Sequence, residues 1–256
     1  MLNIEKLSVP PAYQVVSNEL RRYILSGSLS PGDPLPSEVD LASRFGVNRS
    51  TVREGIRQLE SDGLVRREGR KRLIVTIPDH ADLTPRTTRA LVMRAVTFGE
   101  LWDVSRVLEP LASKLAAENI TEAELAVLKR NLEATRHTVE NGESPGILDL
   151  EFHTLLSEAA HNHALLLSRE PVGRLLYPAF EQIQPQLPQA ASRLIKAHGE
   201  IVDALERRDA QHAETWAAKH IEDLKRGWMM AKLPLDNQID RSQASMRLMP
   251  APAATP

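Results

Sequence analysis

Asp149 and His153 stand four residues apart, so a helix would carry both on one face. His198, in Lys196-Ala197-His198-Gly199-Glu200-Ile201-Val202, and His220, in Lys219-His220-Ile221, fall in two later segments of helical periodicity. Three antiparallel helices could bring this carboxylate and three imidazoles to a point. Such an N/O donor set suits Zn²⁺ first, with Ni²⁺ or Mn²⁺ as alternatives, and leaves a position for a small anion. The chain has no cysteine, so thiolate zinc sites and disulfides are excluded and any metal must use His and carboxylate. Spacing alone does not select these four residues. An Asp-x-x-x-His pair is common by chance, and His161, His163 and His212 are further imidazoles within reach of the same segments.

A second chemistry is written in residues 36–65. Arg49, Arg53 and Arg57 recur every four residues along one helix face, while Val52, Ile56 and Leu59 share another. One side can lock onto a small domain. The other offers forked guanidinium donors to guanine O6/N7 and to phosphates, with Ser50 and Thr51 beside them near the helix start. A solvated basic helix face is the commoner meaning of an arginine stripe taken alone. The order around it argues otherwise: Ser37 reads as the N-cap of a preceding short helix with Asp40 at its third position, Gly46 as the turn, Asn48 as the cap of the arginine helix, and Gly63 as its stop. That is the layout of a helix-turn-helix, whose second helix enters the DNA major groove.

The elements that must position these groups follow from periodicity. A first helix is expected over 12–26, and short strands at 64–65 and 73–77. Between the strands lies Arg66-Arg67-Glu68-Gly69-Arg70-Lys71-Arg72, a basic wing tip able to reach phosphates or the minor groove. Residues 78–85 read as a linker because Pro78 and Pro85 bracket them. Helices are expected at 86–97, 99–118, 121–141, 145–160, 163–183, 189–207 and 209–232, with a capping box at Thr121-Glu122-Ala123-Glu124. Residues 233–256 are Pro/Ala-rich and are expected to be a disordered tail. The reading is a mainly α protein: a winged helix-turn-helix over 1–77, then an all-α antiparallel bundle over 86–232.

Composition agrees. Aromatic residues are 4% of a chain that is 42% apolar, so the cores must rest on Leu, Ile, Val and Ala, which favours helices. The net charge of −2 hides +3 on residues 1–77 and −5 on the remainder, as suits a basic reading head on an acidic body. No apolar run is long enough to span a membrane, and no charged segment followed by an apolar one marks a secretory leader, so a cytoplasmic protein is expected.

Leu35-Pro36-Ser37-Glu38, Phe45-Gly46-Val47, Arg49, Val52-Arg53-Glu54, Leu59 and Asp62-Gly63-Leu64 resemble the winged helix of the GntR family of bacterial transcriptional regulators. Three positions depart from the family pattern: Gly55 stands where alanine is usual, Val39 where some members carry an arginine, and Lys71 where a second wing glycine is common. Arg106-Val107-Leu108-Glu109, Asp149-Leu150-Glu151-Phe152-His153, His198-x-x-Ile201-Val202-x-Ala204-Leu205 with Asp209, and His220-Ile221 resemble the FCD effector domain of the family's FadR-type branch. The resemblance implies DNA contact by Ser37, Arg49, Ser50, Thr51, Arg53, Gly69 and Arg70. It implies a divalent metal on Asp149, His153, His198 and His220, and an effector carboxylate facing Arg106. Arg106 could otherwise pair with Glu109, three residues along. Trp102 reads as core.

The expected function is a metabolite-responsive transcriptional repressor, with no catalytic activity. A homodimer would place two recognition helices on a near-palindromic operator about 34 Å apart. A small carboxylate effector would change its DNA affinity. Two alternatives stand beside it: a metal-independent regulator responding to an acyl-CoA-type effector, and a bundle metalloenzyme, against which the absence of a His-Glu-x-x-His motif counts.

Overall fold

The computed structural model describes residues 9–69 and 72–239. The chain divides into two compact units that meet at Asp82 and Leu83.

The first unit holds α1 (Ala12–Leu25), α2 (Glu38–Phe45), α3 (Arg49–Ser61), β1 (Val65–Glu68) and β2 (Arg72–Val75). Ser37 caps α2, its Oγ accepting from the Asp40 N–H at 3.1 Å. Gly46 ends α2 at φ +66°, the left-handed conformation that favours glycine. Asn48 occupies the N-cap of α3 with extended backbone, but its side chain makes no capping bond; the expected cap is positional only. Val16 and Leu20 of α1, Leu41 of α2, and Val52, Ile56 and Leu59 of α3 close the core over Val65 and Val75. Gly55 faces α1: a Cβ there would stand 3.0 Å from the Tyr13 carbonyl oxygen and 3.0 Å from Val16 Cγ1.

The hairpin pairs Val65 with Val75 and Glu68 with Arg72. Its first strand runs to Glu68, beyond the expected end at Val65, so Arg66 and Arg67 are strand residues rather than wing tip. Residues 32–35 extend the sheet along β2, through Gly32 N–H to Val75 O, Val75 N–H to Asp33 O and Leu35 N–H to Leu73 O, each at 2.9 Å. Arg70 and Lys71 lie outside the described residues.

The second unit is helical: α4 (His80–Met93, crossing the division), α5 (Phe98–Asn119), α6 (Glu122–Glu140), α7 (Gly146–Ala159), α8 (His163–Leu176), α9 (Phe180–Ile183), α10 (Ala190–Glu206) and α11 (Ala210–Met230). The fold is mainly α, as expected. Residues 80–85 are not an irregular linker. Asp79 and Asp82 bond each other's backbone N–H at 3.0 and 3.3 Å, starting α4 ahead of Pro85, which forfeits a single ladder bond. Capping boxes at Thr97–Glu100 and Thr121–Glu124 start α5 and α6. The expected helix over 163–183 breaks into α8, a 3₁₀ turn at Tyr177–Ala179 carrying Pro178, and α9.

One apolar cluster in this unit centres on Phe98, Trp102, Leu176 and Trp228, another on Leu128, Phe152, Leu156, Ile201 and Leu205. Trp102 is core, its indole N–H donating to Ile221 O at 3.1 Å. The expected tail does not begin at 233. Leu235 O accepts from Gly99 N–H at 2.8 Å, Asn237 O from Phe98 N–H at 3.0 Å, and Trp228 Nε1–H reaches Pro234 O at 2.9 Å. Residues 240–256 lie outside the described residues. Among the described residues, no helix is long and apolar enough to cross a membrane.

Candidate metal centre and DNA-reading face

Helix α7 carries Asp149 and His153 one turn apart, α10 carries His198 and α11 carries His220. Asp149, His153 and His198 are at most 1% exposed, and His220 9%. One ligand atom from each lies within 4.8 Å of all the others. Asp149 Oδ1 stands 3.2 Å from His198 Nε2, 3.7 Å from His153 Nε2 and 3.9 Å from His220 Nε2. His153 Nε2 and His220 Nε2 are 3.1 Å apart. Ligand atoms arranged tetrahedrally at bond lengths of roughly 2.0–2.2 Å stand about 3.3–3.6 Å from one another. Asp149 Oδ1 and His198 Nε2 are close, yet neither has a hydrogen-bond partner among the described residues. A buried polar atom left without a bond costs free energy. Atoms that approach this closely without hydrogen bonding are arranged as ligands sharing a centre. The donor set therefore fits a divalent ion.

His153 Nδ1 meets Glu109 Oε2 at 2.9 Å, and Arg169 Nε donates to Glu109 Oε1 at 2.8 Å. Glu109 comes from α5, and Arg169 from α8. The carboxylate fixes Nδ1 as the protonated nitrogen and so turns the lone pair of Nε2 toward Asp149 and His220, the outer support typical of a metal-binding histidine. Burial alone would raise the Glu109 pKa, but Arg169 and His153 hold the carboxyl well below its usual range. Burial, then the neighbouring imidazoles, pushes His220 down to about 3. Burial likewise depresses His198 well below its ordinary value and raises Asp149. His198 stacks on Phe152 at 3.7 Å, and His153 on Tyr177 at 4.2 Å. At neutral pH, His198 and His220 are thus uncharged donors.

Beside the cluster is a void of about 20 Å³ lined by Asp149, Tyr177, His220 and Arg193 among others, room for one water. The Tyr177 hydroxyl is buried beside the Glu109 carboxylate, and burial first, then that negative charge, raises its pKa. Arg193, Asp223 and His220 also line an open cavity of about 340 Å³.

Arg106 stands apart from the cluster. It lies on the exposed side of α5, pairs with Asp103 at 3.3 Å and sits over the Trp102 ring. It neither faces the cluster nor pairs with Glu109, whose carboxylate is taken by His153 and Arg169. Glu109, Arg169, Tyr177 and Arg193 escaped the sequence reading. The Arg-x-x-Glu pattern held the signal for Glu109, but the inward residue is the glutamate. The spare histidines are elsewhere: His161 pairs with Glu124 at 2.9 Å, His212 with Glu200 at 3.1 Å, and His163 opens α8 exposed.

On the first unit, Ser37, Arg49, Ser50, Arg53 and Gly69 are exposed and Thr51 is half-buried; Arg70 is outside the described residues. Arg53 forks onto Glu38, with Nη2 at 2.8 Å and Nε at 3.2 Å from Oε2. Arg57 is spent on Glu54 at 3.1 Å, and Arg67 on Glu60 at 2.9 Å. Arg49 makes no ion pair among the described residues.

A family model described as bacterial regulatory proteins, gntR family, matches residues 12–75, and one for the FCD domain matches residues 100–223. The chain is 30% identical to the uncharacterized HTH-type transcriptional regulator YdhC of Bacillus subtilis, over 84% of this chain and 90% of that one. It is 28% identical to the Glc operon transcriptional activator of Escherichia coli, over 84% and 88%, and 26% identical to the HTH-type transcriptional repressor RspR of Escherichia coli, over 84% and 87%. Among solved structures, Streptococcus agalactiae GntR shares the fold, with a TM-score of 0.63 at 24% identity, over 84% of this chain and 99% of that one. The chain belongs to the gntR family of bacterial regulatory proteins, a transcriptional regulator that joins a DNA-binding helix-turn-helix to an FCD domain.

Proposed function

We propose that this regulator is a metal-anchored carboxylate sensor, a repressor whose grip on its operator is relaxed by a small acid. The reading is carried by one observation: Asp149, His153, His198 and His220 converge, buried, with Asp149 Oδ1 and His198 Nε2 unbonded. Bound there, a divalent ion, Zn²⁺ first and Ni²⁺ or Mn²⁺ as alternatives, supplies a positive charge for a carboxylate oxygen. Four protein ligands close a tetrahedral site, so the acid's oxygen requires a fifth or sixth position. Tyr177 lines the adjoining void and offers its hydroxyl there. Arg193, at the rim, takes the role first expected of Arg106. A void of water size argues against an acyl chain entering beside the cluster.

Binding must discriminate between two arrangements of the protein to change DNA affinity. On the DNA side, Arg49 and Arg53 supply the forked donors and Ser37, Ser50, Thr51, Gly69 and Arg70 the backbone contacts. We infer a homodimer, since a near-palindromic operator asks for two reading heads. Val104, Val107 and Leu111 leave an apolar stripe exposed on α5, suited to a second copy. Such a protein acts where the DNA is, in the cytoplasm, and turns over no substrate.

The test is metal analysis of purified protein beside His198→Ala, with both titrated onto operator fragments with and without carboxylates. About one metal per chain, lost in the variant together with the acid response, supports the reading. A metal-free wild type whose DNA binding still responds to acids overturns it.

A further inference from the structure

The open cavity outside the cluster has a charge that the metal site does not need. Arg193, Lys196, Lys219 and Arg226 line it, from α10 and α11. Asp223 is the carboxylate among its lining residues, and it serves two of these cations: its Oδ2 accepts from Arg193 Nε at 2.8 Å, and its Oδ1 lies 3.5 Å from Arg226 Nη1. Among the described residues, Lys196 and Lys219 have an aromatic floor instead of a counter-ion, their Nζ atoms 5.8 and 4.6 Å from the Trp216 ring centroid. A volume of about 340 Å³ is in the range of small-ligand sites.

This cavity is continuous in its walls with the void beside the cluster. Arg193, His220 and Asp223 line both. His220 and the Arg193–Asp223 pair thus stand between the cluster and the cations. The Arg193–Asp223 pair sits at that boundary, so Asp223 holds the place that a ligand's own anion would take. A singly charged acid would leave Lys196 and Lys219 unused.

We propose that the cavity lined by Arg193, Lys196, Lys219 and Arg226 is a second anion subsite, and that the effector is a short acid with two anionic groups. The inference rests on the sensor reading above and names its ligand class. The outer anion is a carboxylate or a phosphoryl group, which Arg and Lys both take.

The test compares succinate with butyrate, the same four carbons with and without the second carboxylate, by calorimetry on metal-loaded protein. Succinate is expected to bind at least about tenfold more tightly, the two cations without counter-ions each adding a modest, salt-sensitive gain. In Lys196→Met/Lys219→Met the ratio falls toward one, while butyrate affinity and metal content stay as in the wild type. A third probe, 3-phosphonopropionate, assigns the outer group: tighter than succinate means phosphoryl, weaker means carboxylate, and either supports the subsite. Equal binding of succinate and butyrate by the wild type, or a ratio that survives in the double variant, overturns the subsite and leaves the sensor standing. A protein that holds no metal, or holds it and takes neither acid, overturns the sensor and the subsite together.

Discussion

Glu109 Oε2 lies 2.9 Å from His153 Nδ1, and this one contact between α5 and α7 decides which nitrogen of His153 faces Asp149 and His220. Glu109 is a positioning residue. Glu109→Gln keeps the shape and an acceptor but removes the negative charge that makes the imidazole a better donor. Metal affinity is expected to fall by about 10- to 100-fold, read by competition with a chelator. Glu109→Ala also takes from buried Arg169 its closer carboxylate, leaving it Glu170 Oε2 at 3.5 Å, so it should destabilise the fold by about 3–5 kcal/mol. The glutamine variant separates the two effects: unchanged metal affinity there would reduce Glu109 to a partner of Arg169 alone.

Gly173, one turn beyond Arg169 on α8, tests the same network from behind. A Cβ at Gly173 would stand 2.8 Å from Arg169 Nη2 and 2.9 Å from its Cζ. The guanidinium cannot swing aside, because Glu109 holds Nε and the side chain is 1% exposed. Gly173→Ala should therefore cost about 1–3 kcal/mol through overpacking, despite alanine's better helix propensity. Denaturant unfolding reads this directly, and a stabilised variant would mean that Arg169 is free to move.

Much of this architecture was legible because it is local. The cap at Ser37, the turn at Gly46, the stop at Gly63 and the box at Thr121–Glu124 each involve groups within a few residues, and spacing carries them. The cluster was legible in its ligands and not in its surroundings. Asp149 and His153 share a helix face, but Glu109 reaches His153 across 44 residues of sequence and Arg169 reaches Glu109 across 60, which periodicity does not encode. Arg-x-x-Glu names a pair without saying which member turns inward, and here it is Glu109. Prolines misled at the junction, where Pro85 looked like the end of a linker and the reciprocal bonds of Asp79 and Asp82 start a helix before it. Gly55, a departure from the family pattern in the sequence, is a point of close approach to α1 in the fold.

The pH dependence of the metal-free protein follows from its buried imidazoles. Burial pushes His220 down to about 3 in the folded chain, against about 6.5 for an ordinary histidine; His198 is depressed as well. The unfolded chain therefore binds more protons than the folded one below pH 6.5. Stability is full above that value and is lost as pH falls from it toward 3, by up to about 1.4 kcal/mol per pH unit for each such histidine. Asp149 is shifted the other way, raised by burial, so its protonation returns some stability at the acid end. In chelator, the Tm should fall from pH 7 to pH 5, and His220→Gln should flatten that fall. Equal slopes in the two proteins would show that His220 is not neutral in the folded chain.

On α3 the three arginines are not equivalent. Arg57 is paired with Glu54 along its own helix, and Arg53 is braced across to Glu38 on α2. Arg49 stands exposed at the helix start without an ion pair among the described residues, on the end that points into a major groove. Arg49→Ala should weaken binding to the operator by about 1–3 kcal/mol and relax the preference at one base position, the loss of a forked contact to a base. Arg57→Ala should cost less and act alike on all sequences, lowering the salt dependence by about one phosphate contact. Glu38→Gln frees Arg53 from its brace. If Arg53 reads a base from the braced position, that variant loses specificity while keeping its affinity for random DNA. Titrations of the three variants on operator and scrambled duplexes at two salt concentrations separate these outcomes, and a larger loss of operator preference from Arg57→Ala than from Arg49→Ala would reverse the assignment of the helix start to the bases.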